Sequence, residues 1–494
     1  MSWLFEYEQM EPYVKKVRII IKNEVECVLS GLLPDHLDFF YEEYGVREEG
    51  YFFSPRFKLK LWDGKRRFFS KAGKTYVILL EEIIPKVVRL GYKIALDDHR
   101  VSPAYDVSSV SEDYFSAAID PKTERPYEIR PYQVDPINLL LTHGNGIVVA
   151  GTGAGKTTIN AALVAKYGEH NARSITIVPN QTLIRQTMKW FNFFGLDTGE
   201  YSGLHKDLDH QHIVSTWQAL KNNPEIIRDF QVLVVDECHG TRAKVLGKLV
   251  NEHGQKIAYR FGLTGSMPKD KSQVMAITTS LGPVRFIIPA HELIEQGWLA
   301  SLNISVMQLD DKKPLIEADV PKGEFIEFGM EMDWLHSNKP RMQWIADFLT
   351  EKSIQPLGNV LCLVSSVGFG KKLKKVVPGA YFVFGKDKDK VRQQVYDLFE
   401  NNDNIIVIAT AQVAGVGLSI DRIFNLVYID LGKSFIRVIQ AIGRGLRKGK
   451  DKDHVDATDI CSNLKHSRGH LTKRLKYYRE AKYPNKKYLV EYTE

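Results

Sequence analysis

A glycine-rich segment at residues 151–158 has the residue types that grip phosphate groups. Between an apolar run at 147–150 and a helical pattern at 159–166, the chain reads Gly151, Thr152, Gly153, Ala154, Gly155, Lys156, Thr157 and Thr158. Glycines let backbone N–H groups turn toward phosphate oxygens, and the N-terminus of the following helix favours an anion. Lys156 can then reach the β- and γ-phosphates, and Thr157 can ligate Mg²⁺. We therefore expect all eight residues to contact ATP, with Ala150 standing where the strict pattern has glycine.

An acidic pair follows another apolar run, at residues 232–235. Asp236 and Glu237 come first, and Cys238 and His239 follow them. Carboxylates at the carboxyl end of a strand in an open parallel sheet face the ligand crevice. We expect Asp236 to hold Mg²⁺ through water and Glu237 to orient and deprotonate the attacking water. Alone, such a pair is more often a solvated strand end, but downstream of a phosphate-binding loop hydrolysis is the better interpretation.

The elements that must position these residues alternate between short apolar runs and helical patterns. One series of apolar runs lies at residues 147–150, 174–178, 212–215 and 232–235, and a second lies at 359–364, 380–384, 405–409 and 426–429. Such runs are typical of buried parallel strands. We therefore predict an α/β fold with two tandem parallel-sheet domains, preceded by a small α+β domain.

Changes in residue pattern predict the domain boundaries. We expect a small α+β accessory domain at residues 1–115 and a first parallel-sheet domain, the one with the phosphate-binding loop, at 116–295. A linker at 296–335 would lead to a second domain at 336–465, and a basic tail would complete the chain at 466–494.

The charge balance favours a polyanionic partner. The net charge is +7 and the isoelectric point is about 8.9. Residues 440–494 alone hold 14 Lys and Arg against 7 Asp and Glu, so the excess is local. The four cysteines are far apart, which argues against a zinc site or a disulfide framework. No apolar stretch approaches the roughly 18 residues that span a bilayer, so we expect a cytoplasmic protein without a membrane partner.

With both motifs in place, the chain resembles the superfamily 2 helicases and translocases from about residue 130 to residue 448. The resemblance implies that both parallel-sheet domains are RecA-like. It implies that Arg130 and Gln133 read adenine, as part of the segment Ile129 to Gln133. In the second domain, residues 409–419 resemble the fifth family motif and 440–447 the sixth. By resemblance, the remaining nucleotide contacts are Gly417, Arg444 and Arg447, with the two arginines completing the ATP site and stabilising transition-state charge.

Other family motifs occur in the expected order and imply contacts with a nucleic-acid strand. By resemblance the contacts to phosphates are made by Pro179, Gln186, Thr216, Gln218, Ser365 and Thr410. Residues that link hydrolysis to movement would be His239, Thr264, Ser266 and Gln440. Contacts to phosphates position a strand without reading its sequence, so we expect non-specific and salt-sensitive binding.

Aromatic and basic residues are interleaved between residues 51 and 68. The basic residues are Arg56, Lys58, Lys60, Lys65, Arg66 and Arg67. We expect a hairpin in which the first three share a DNA-facing side while Phe57, Leu59 and Leu61 pack inward. The alternative is an exposed sheet edge protected by lysines. The run Gly50 to Gly64 resembles the N-terminal domain of the phage UvsW-like branch-migration helicases, which implies action on branched DNA.

We therefore expect an ATP-dependent DNA helicase or translocase that acts on branched DNA in phage-type replication, recombination or repair. If the protein is phage-encoded, we expect it in the cytoplasm of the host cell. Its partner would be single-stranded, duplex and branched DNA, and the sequence names no partner protein. Three alternatives stay open: the motor of a restriction or nuclease system, an ATP-switched nucleic-acid clamp, and an RNA helicase. A nuclease should carry an Asp and Glu-x-Lys cluster, and Glu480 to Lys482 has no well-placed Asp before it. Phosphate contacts alone do not separate RNA from DNA.

Overall fold

The computed structural model describes residues 15–101, 104–121, 123–151, 153–240, 243–311, 327–356, 358–387, 389–414, 422–432, 443, 446, 448 and 451–492. The chain divides into two compact units, Met1–Val149 with Gly155–Ile287 and Ala150–Ala154 with Ile288–Glu494. Within the described part of the chain, no helix combines the length and the apolar composition that a bilayer crossing requires.

The first unit begins with a small α+β module. In chain order its elements are β1 (Lys16–Ile21), β2 (Glu26–Ser30), α1 (Pro34–Glu43), β3 (Gly45–Arg47), α2 (Pro55–Lys58), β4 (Lys65–Arg67), β5 (Lys74–Tyr76), α3 (Leu80–Arg89) and β6 (Lys93–Asp98). The main sheet has the strand order β5-β2-β1-β6. Val17, Ile19 and Ile21 are buried and alternate with exposed Lys16 and Arg18, as expected for a half-buried strand.

The predicted hairpin at residues 51–61 is wrong. This segment forms a 3-10 helix, Tyr51–Phe53, followed by α2, and the strand β4 that comes later pairs with β3. Pro55 cannot donate to a ladder, whereas its restricted φ suits the first turn of a helix. Leu59 and Leu61, which were expected to pack inward, are 68% and 69% exposed.

The module is joined to the first parallel-sheet domain by buried contacts. The fully buried Arg260 of that domain donates to the carbonyl of Glu24 at 2.6 Å and to the carbonyl of Ser280 at 3.2 Å. Asp270 accepts a hydrogen bond from the backbone of Glu49 at 2.9 Å. Val25 of the module also belongs to the core of the parallel sheet. The module and the first parallel-sheet domain therefore form one packed body.

The first parallel-sheet domain begins with the short pair β7 (Ile119–Asp120) and β8 (Arg125–Pro126). It continues with α4 (Pro131–His143), β9 (Asn145–Ala150), α5 (Lys156–Gly168), β10 (Ser174–Val178), α6 (Gln181–Phe193), β11 (Thr198–Tyr201), β12 (His212–Thr216), α7 (Trp217–Asn222), β13 (Val232–Asp236), α8 (Ala243–Lys248), β14 (Tyr259–Thr264), α9 (Lys271–Leu281) and β15 (Val284–Ile288). The sheet order is β11-β12-β10-β13-β14-β9-β15, and the pairings from β11 through β9 are parallel.

The second unit contains another seven-stranded sheet. Its elements are α10 (Ala290–Glu295), β16 (Ser301–Leu309), α11 (Phe328–Leu335), α12 (Lys339–Ile354), β17 (Val360–Val364), α13 (Val367–Val376), β18 (Tyr381–Val383), α14 (Asp389–Asn401), β19 (Ile406–Thr410), α15 (Ala411–Ala414), β20 (Asn425–Ile429), β21 (His454–Ser462), α16 (Lys465–Glu480) and β22 (Asn485–Val490). The sheet order is β18-β19-β17-β20-β21-β16-β22. The prediction of two tandem parallel-sheet domains is confirmed.

The predicted boundaries of the second domain differ from the sheet. β16 lies within the predicted linker at 296–335, yet it pairs with β21 along its nine residues. β22 lies within the predicted tail at 466–494 and pairs with the other side of β16. The residues of β16 mostly alternate between buried and more exposed positions, and those of β22 are mostly exposed. A search for continuous apolar runs therefore finds neither strand.

Replacing Arg260 tests whether the module is held to the first parallel-sheet domain. Arg260→Ala leaves the buried carbonyls of Glu24 and Ser280 without this donor, so we expect a loss of about 2–4 kcal/mol in the free energy of unfolding. Urea denaturation measures the loss. Arg18→Ala on the exposed face of β1 is the control and should change stability by less than about 0.5 kcal/mol. An equally small effect of Arg260→Ala would contradict a structural role for this contact.

Candidate nucleotide-binding and coupling site

Neighbouring parallel strands bring the predicted motifs of the first unit to one edge of its sheet. Asp236, the last residue of β13, is paired with Leu263 of β14, and Leu263 is paired with Val148 of β9. On the other side, Val178 of β10 is paired with Thr216 of β12. The carboxyl ends of these strands therefore meet at the edge where ligands bind in open α/β sheets.

The glycine-rich loop leads from β9 directly into α5, which begins at Lys156. Gly153 and Gly155 have φ angles of +90° and +77°, in the left-handed region that favours glycine. A Cβ at Gly155 would lie 2.0 Å from Nε2 of Gln133, so the close approach also requires glycine. This loop at the N-terminus of a helix fits a phosphate group. Thr152 lies outside the described residues.

Lys156 and Glu237 face each other at this edge. Their Nζ and Oε1 atoms are 3.4 Å apart, and the two side chains are 11% and 20% exposed. Glu237 has a φ of +50°, a conformation that costs a residue with a side chain about 1–3 kcal/mol. In this conformation Glu237 makes two further contacts. Its Oε2 atom accepts a hydrogen bond from the backbone N–H of Gly265 at 3.3 Å and lies 3.2 Å from Nδ1 of His239.

The two neighbouring carboxyl groups have opposite pKa shifts. Burial, together with the negative charge of Glu237, raises the pKa of Asp236 to about 6. Burial opposes ionisation of Glu237 too, but Lys156 and the hydrogen bond with His239 hold the pKa of Glu237 well below its usual range. A divalent cation beside Asp236 would offset the negative charge of Glu237 and favour the ionised form of Asp236, so the pair fits a Mg²⁺ site.

A chain of short contacts connects the acidic motif to the loop after β14. Nδ1 of His239 lies 2.6 Å from Oγ1 of Thr264, and that hydroxyl donates to the carbonyl of Ser266 at 2.9 Å. Thr264 is fully buried. The Oγ of Ser266 is buried and has no hydrogen-bond partner in the part of the chain that the structure describes. The structure thus brings together His239, Thr264 and Ser266, three of the four predicted coupling residues.

Gln133 lies against the phosphate-binding loop. Its Oε1 accepts from the backbone N–H of Arg130 at 3.1 Å, and its Nε2 is 3.5 Å from the carbonyl of Gly155, at the limit of a hydrogen bond. Tyr127 also reaches this region, where its hydroxyl is 3.0 Å from Oγ1 of Thr158. Sequence reasoning missed Tyr127, because one aromatic residue before α4 carries no pattern. The adenine contact of Arg130 and Gln133 stays a prediction.

Some of the residues of the first unit that were predicted to contact a nucleic-acid strand lie close together. Nε2 of Gln218 lies 3.4 Å from the carbonyl of Pro179. Thr216 is 7% exposed, and its hydroxyl accepts from the N–H of Ala219 at 3.4 Å at the start of α7. Gln186 lies on the half-buried side of α6.

In the second unit, Ser365 and Thr410 meet at one sheet edge. Thr410 ends β19 and is paired with Val364, the residue before Ser365. Ser365 is exposed, whereas Thr410 is 6% exposed. The remaining predicted residues of this unit lie outside the described residues: Gly417, Gln440, Arg444 and Arg447.

The basic residues of the N-terminal module fall into two groups. Lys65 and Arg67 both form ion pairs with Glu42, at 2.6 Å and 2.9 Å, and Arg67 also pairs with Asp63. Arg66 lies over the ring of Phe68, 5.2 Å from its centroid. The other group is exposed and forms no ion pair within the described ranges: Arg56, Lys58 and Lys60.

Two family models match the chain in the order that the motifs predict. The model described as type III restriction enzyme, res subunit, matches residues 126–269, and the helicase conserved C-terminal domain matches residues 342–449. The chain belongs to the superfamily 2 helicases. This helicase is therefore an ATP-hydrolysing enzyme, and the family resemblance of its motifs is confirmed.

Individual relatives can be aligned with most of the length of this helicase. It is 26% identical over 459 residues to the ATP-dependent DNA helicase uvsW of Enterobacteria phage T4, an alignment that covers 88% of this chain and 90% of that protein. It is 23% identical over 359 residues to the DNA 3'-5' helicase XPB of Kineococcus radiotolerans, covering 66% and 58%. A solved fragment of an HsdR subunit of a type I restriction enzyme from Vibrio vulnificus YJ016 has a TM-score of 0.55 and 17% identity, and covers 73% of this chain and 68% of that one. The last similarity concerns the fold.

Neutralising each carboxylate in turn should change stability in opposite directions. The folded pKa of Asp236 lies above its ordinary value of 3.8, so its ionisation destabilises the folded protein increasingly as the pH rises from about 4 through 6. At pH 8 we expect Asp236→Asn to stabilise the nucleotide-free protein by roughly 1–3 kcal/mol, a gain that disappears below about pH 4. Glu237→Gln weakens the contacts with Lys156 and His239 and should destabilise at pH 8.

Urea denaturation between pH 4 and pH 8, without nucleotide or Mg²⁺, measures both effects. Destabilisation by Asp236→Asn at pH 8 would contradict the assigned pKa shift.

Proposed function

We propose that this helicase couples ATP hydrolysis to movement along DNA and acts on branched DNA by branch migration, fork regression and duplex unwinding. The observation that carries the proposal is the hydrogen-bonded chain from Lys156 and Glu237 through His239 to Thr264 and Ser266. This chain connects the phosphate-binding loop to the loop that follows β14. A motor requires such a connection, because events at the nucleotide must change the structure elsewhere in the protein. The phage T4 relative, named as an ATP-dependent DNA helicase, supports DNA as the track.

ATP binding changes the partner of Lys156 in this mechanism. Without nucleotide, Lys156 lies beside Glu237 and favours its ionised form. Phosphate oxygens of ATP compete for the same ammonium group, so Glu237 gains basicity when Lys156 turns toward them. Glu237 then orients the attacking water and accepts its proton.

The remaining residues of the loop hold the triphosphate. Backbone N–H groups of the glycine-rich loop would surround its oxygens, and Thr157 and Asp236 would hold Mg²⁺. Bound Mg²⁺ neutralises charge on the β- and γ-phosphates. We assign the stabilisation of transition-state charge to Arg444 and Arg447, as the family resemblance implies.

Loss of the ion pair with Lys156 is transmitted through Glu237. Because Oε2 of Glu237 contacts both His239 and the N–H of Gly265, a shift of the carboxylate perturbs the contact between His239 and Thr264. The loop that contains Thr264 leads to Asp270, which caps α9 and also binds the backbone of Glu49. In this mechanism the response reaches the N-terminal module through these hydrogen bonds and through the backbone between Ser266 and Asp270.

A surface of the N-terminal module is the proposed contact with branched DNA. Phe52, Phe53, Leu59 and Leu61 are 52%, 72%, 68% and 69% exposed. The exposed Arg56, Lys58 and Lys60 belong to the same short segment. Aromatic rings stack on bases and cations bind phosphates, so this combination suits the unpaired bases and backbones at a junction. Lys65 and Arg67 contribute less, because carboxylates already neutralise them.

Two substitutions test the catalytic assignment. Lys156→Ala removes the phosphate contact and should abolish ATP hydrolysis, whereas Glu237→Gln should block hydrolysis and leave ATP binding largely intact. DNA-stimulated phosphate release and binding of a fluorescent ATP analogue measure the two steps. Lys248→Gln on α8 is a control that should hydrolyse ATP like the wild type. Retained turnover in either site variant would overturn the mechanism.

The substrate is tested by comparing polynucleotides. We expect ATP hydrolysis to be stimulated most by a four-way junction, less by duplex or single-stranded DNA, and least by RNA. Preference for RNA would overturn the proposal, and failure to displace the third strand of a triplex would favour a static clamp over a motor.

Removing the exposed charges of the module should reduce the junction preference selectively. The triple variant Arg56→Gln, Lys58→Gln and Lys60→Gln should bind a junction about ten-fold or more weakly near 0.1 M salt, since each lost phosphate contact weakens binding several-fold. The matched control neutralises three other exposed residues of the module, Lys16→Gln, Arg89→Gln and Lys93→Gln. Equal losses in both variants would show that net charge, rather than this surface, determines binding.

A further inference from the structure

The C-terminal segment carries an excess of exposed positive charge. Between residues 465 and 492 there are eight exposed Lys and Arg residues and two exposed acidic residues, Glu480 and Glu491. This segment is an ordered part of the second unit, in which α16 packs on the sheet and β22 forms its edge. The charge therefore has a defined position.

Buried contacts fix α16 to the sheet. Arg474, on its inner face, forms two hydrogen bonds with the carboxylate of Asp459 in β21, at 2.8 Å and 2.9 Å. The hydroxyl of Tyr478 donates to the same carboxylate at 2.9 Å. At the start of the helix, Glu331 accepts from the backbone N–H groups of His466 and Ser467, both at 2.8 Å. The helix terminus is thus already paired with a carboxylate, and the outward side chains remain as the feature that a ligand would meet.

The outward face of α16 presents a row of cations. Lys465, Arg468, Lys476 and Arg479 are exposed and follow one another at helical spacings of three, eight and three residues. At 1.5 Å per residue the row spans about 21 Å. The edge strand β22 also carries exposed Lys486 and Lys487, but successive side chains of a strand point to opposite sides of a sheet, so the continuous row is the one on α16. We call the four exposed cations of α16 the C-terminal basic face.

The C-terminal basic face begins at the same sheet edge as Ser365 and Thr410. β21 runs parallel to β20, which runs parallel to β17, so α16 starts at the carboxyl edge of the sheet. Strand spacing of about 4.8 Å places the end of β21 roughly 10 Å from the end of β17 and about 14 Å from that of β19. A strand held at Ser365 and Thr410 reaches α16 within a few nucleotides.

We propose that the C-terminal basic face binds the sugar-phosphate backbone of single-stranded DNA next to the contacts at Ser365 and Thr410. This rests on the proposed function and extends the DNA track of the second unit beyond the family motifs. The apolar side of α16 is occupied by its own sheet, where Leu471, Tyr477 and Tyr478 are buried. An interfacial membrane helix needs such a side free to enter lipid, so nucleic acid is the polyanion that fits.

The test compares two triple variants of the full-length protein. The first is Arg468→Gln, Lys476→Gln and Arg479→Gln, which leaves the buried Arg474 and Tyr478 in place. The control is Lys352→Gln, Lys374→Gln and Lys375→Gln, exposed or half-exposed residues in the last turns of α12 and α13 in the second unit. Lys374 and Lys375 lie in the last turn of α13, which begins after β17 and ends away from the carboxyl edge. Fluorescence anisotropy with labelled oligothymidylate of about 20 nucleotides measures binding across a salt series.

We expect the first variant to bind about 100-fold more weakly than the wild type near 0.1 M salt, with a log–log salt slope shallower by about 2. The control should bind like the wild type, and both variants should keep the wild-type melting temperature and basal ATPase rate. Wild-type affinity and slope in the first variant would overturn this inference while leaving the proposed function intact. Equal weakening in both variants would also overturn it.

A wild-type protein that binds no oligothymidylate and is not stimulated by any DNA would instead contradict the proposed function itself. Anionic phospholipid vesicles form a second arm, and a loss confined to vesicle binding would replace DNA by a lipid surface as the ligand.

Discussion

Parallel pairing of β9, β14 and β13 is the constraint on which the nucleotide site depends. The register aligns Asp236 with Leu263 and Leu263 with Val148, so the acidic motif and two loops emerge side by side. A slip of one residue would turn every side chain of a strand to the opposite face of the sheet. Only with this register can Glu237 lie 3.4 Å from Lys156 and also contact Gly265 and His239. The positive φ of Glu237 shows that the local backbone yields to these contacts.

Buried arginines hold the attached elements on both sheets. Arg260 bonds to a carbonyl of the N-terminal module, and Arg474 binds α16 to β21. A third, Arg341 on α12, pairs with Asp430 just beyond β20 at 2.9 Å. Breaking a buried ion pair by removing one partner leaves an uncompensated charge, which makes such positions sensitive to substitution. The module that carries Arg56, Lys58 and Lys60 is for this reason a fixed part of the first unit, and α16 presents its cations from a rigid base.

The sequence shows how many positive charges the protein has, but the structure shows which are available to DNA. Lys65 and Arg67 belong to the same basic segment as Arg56 and Lys58, yet both are paired with carboxylates, those of Glu42 and Asp63. In the tail, Arg474 is buried while Arg468 is exposed. A count of Lys and Arg therefore overstates how many cations of the N-terminal segment are available to bind DNA. For α16, such a count does not show that one face is buried and the other exposed.

Local pattern was sufficient for the two parallel-sheet domains, the phosphate-binding loop and the acidic motif, because each depends on a short run of residues with one dominant physical requirement. Apolar strands must be buried, and a turn such as that at Gly155 admits only glycine. Tertiary structure alone decided the membership of β16 and β22 in the second sheet, and the contacts of Tyr127 with Thr158 and of His239 with Thr264. Those features depend on partners far away in the chain, and pairing between distant residues leaves no periodic signal in the sequence of either partner.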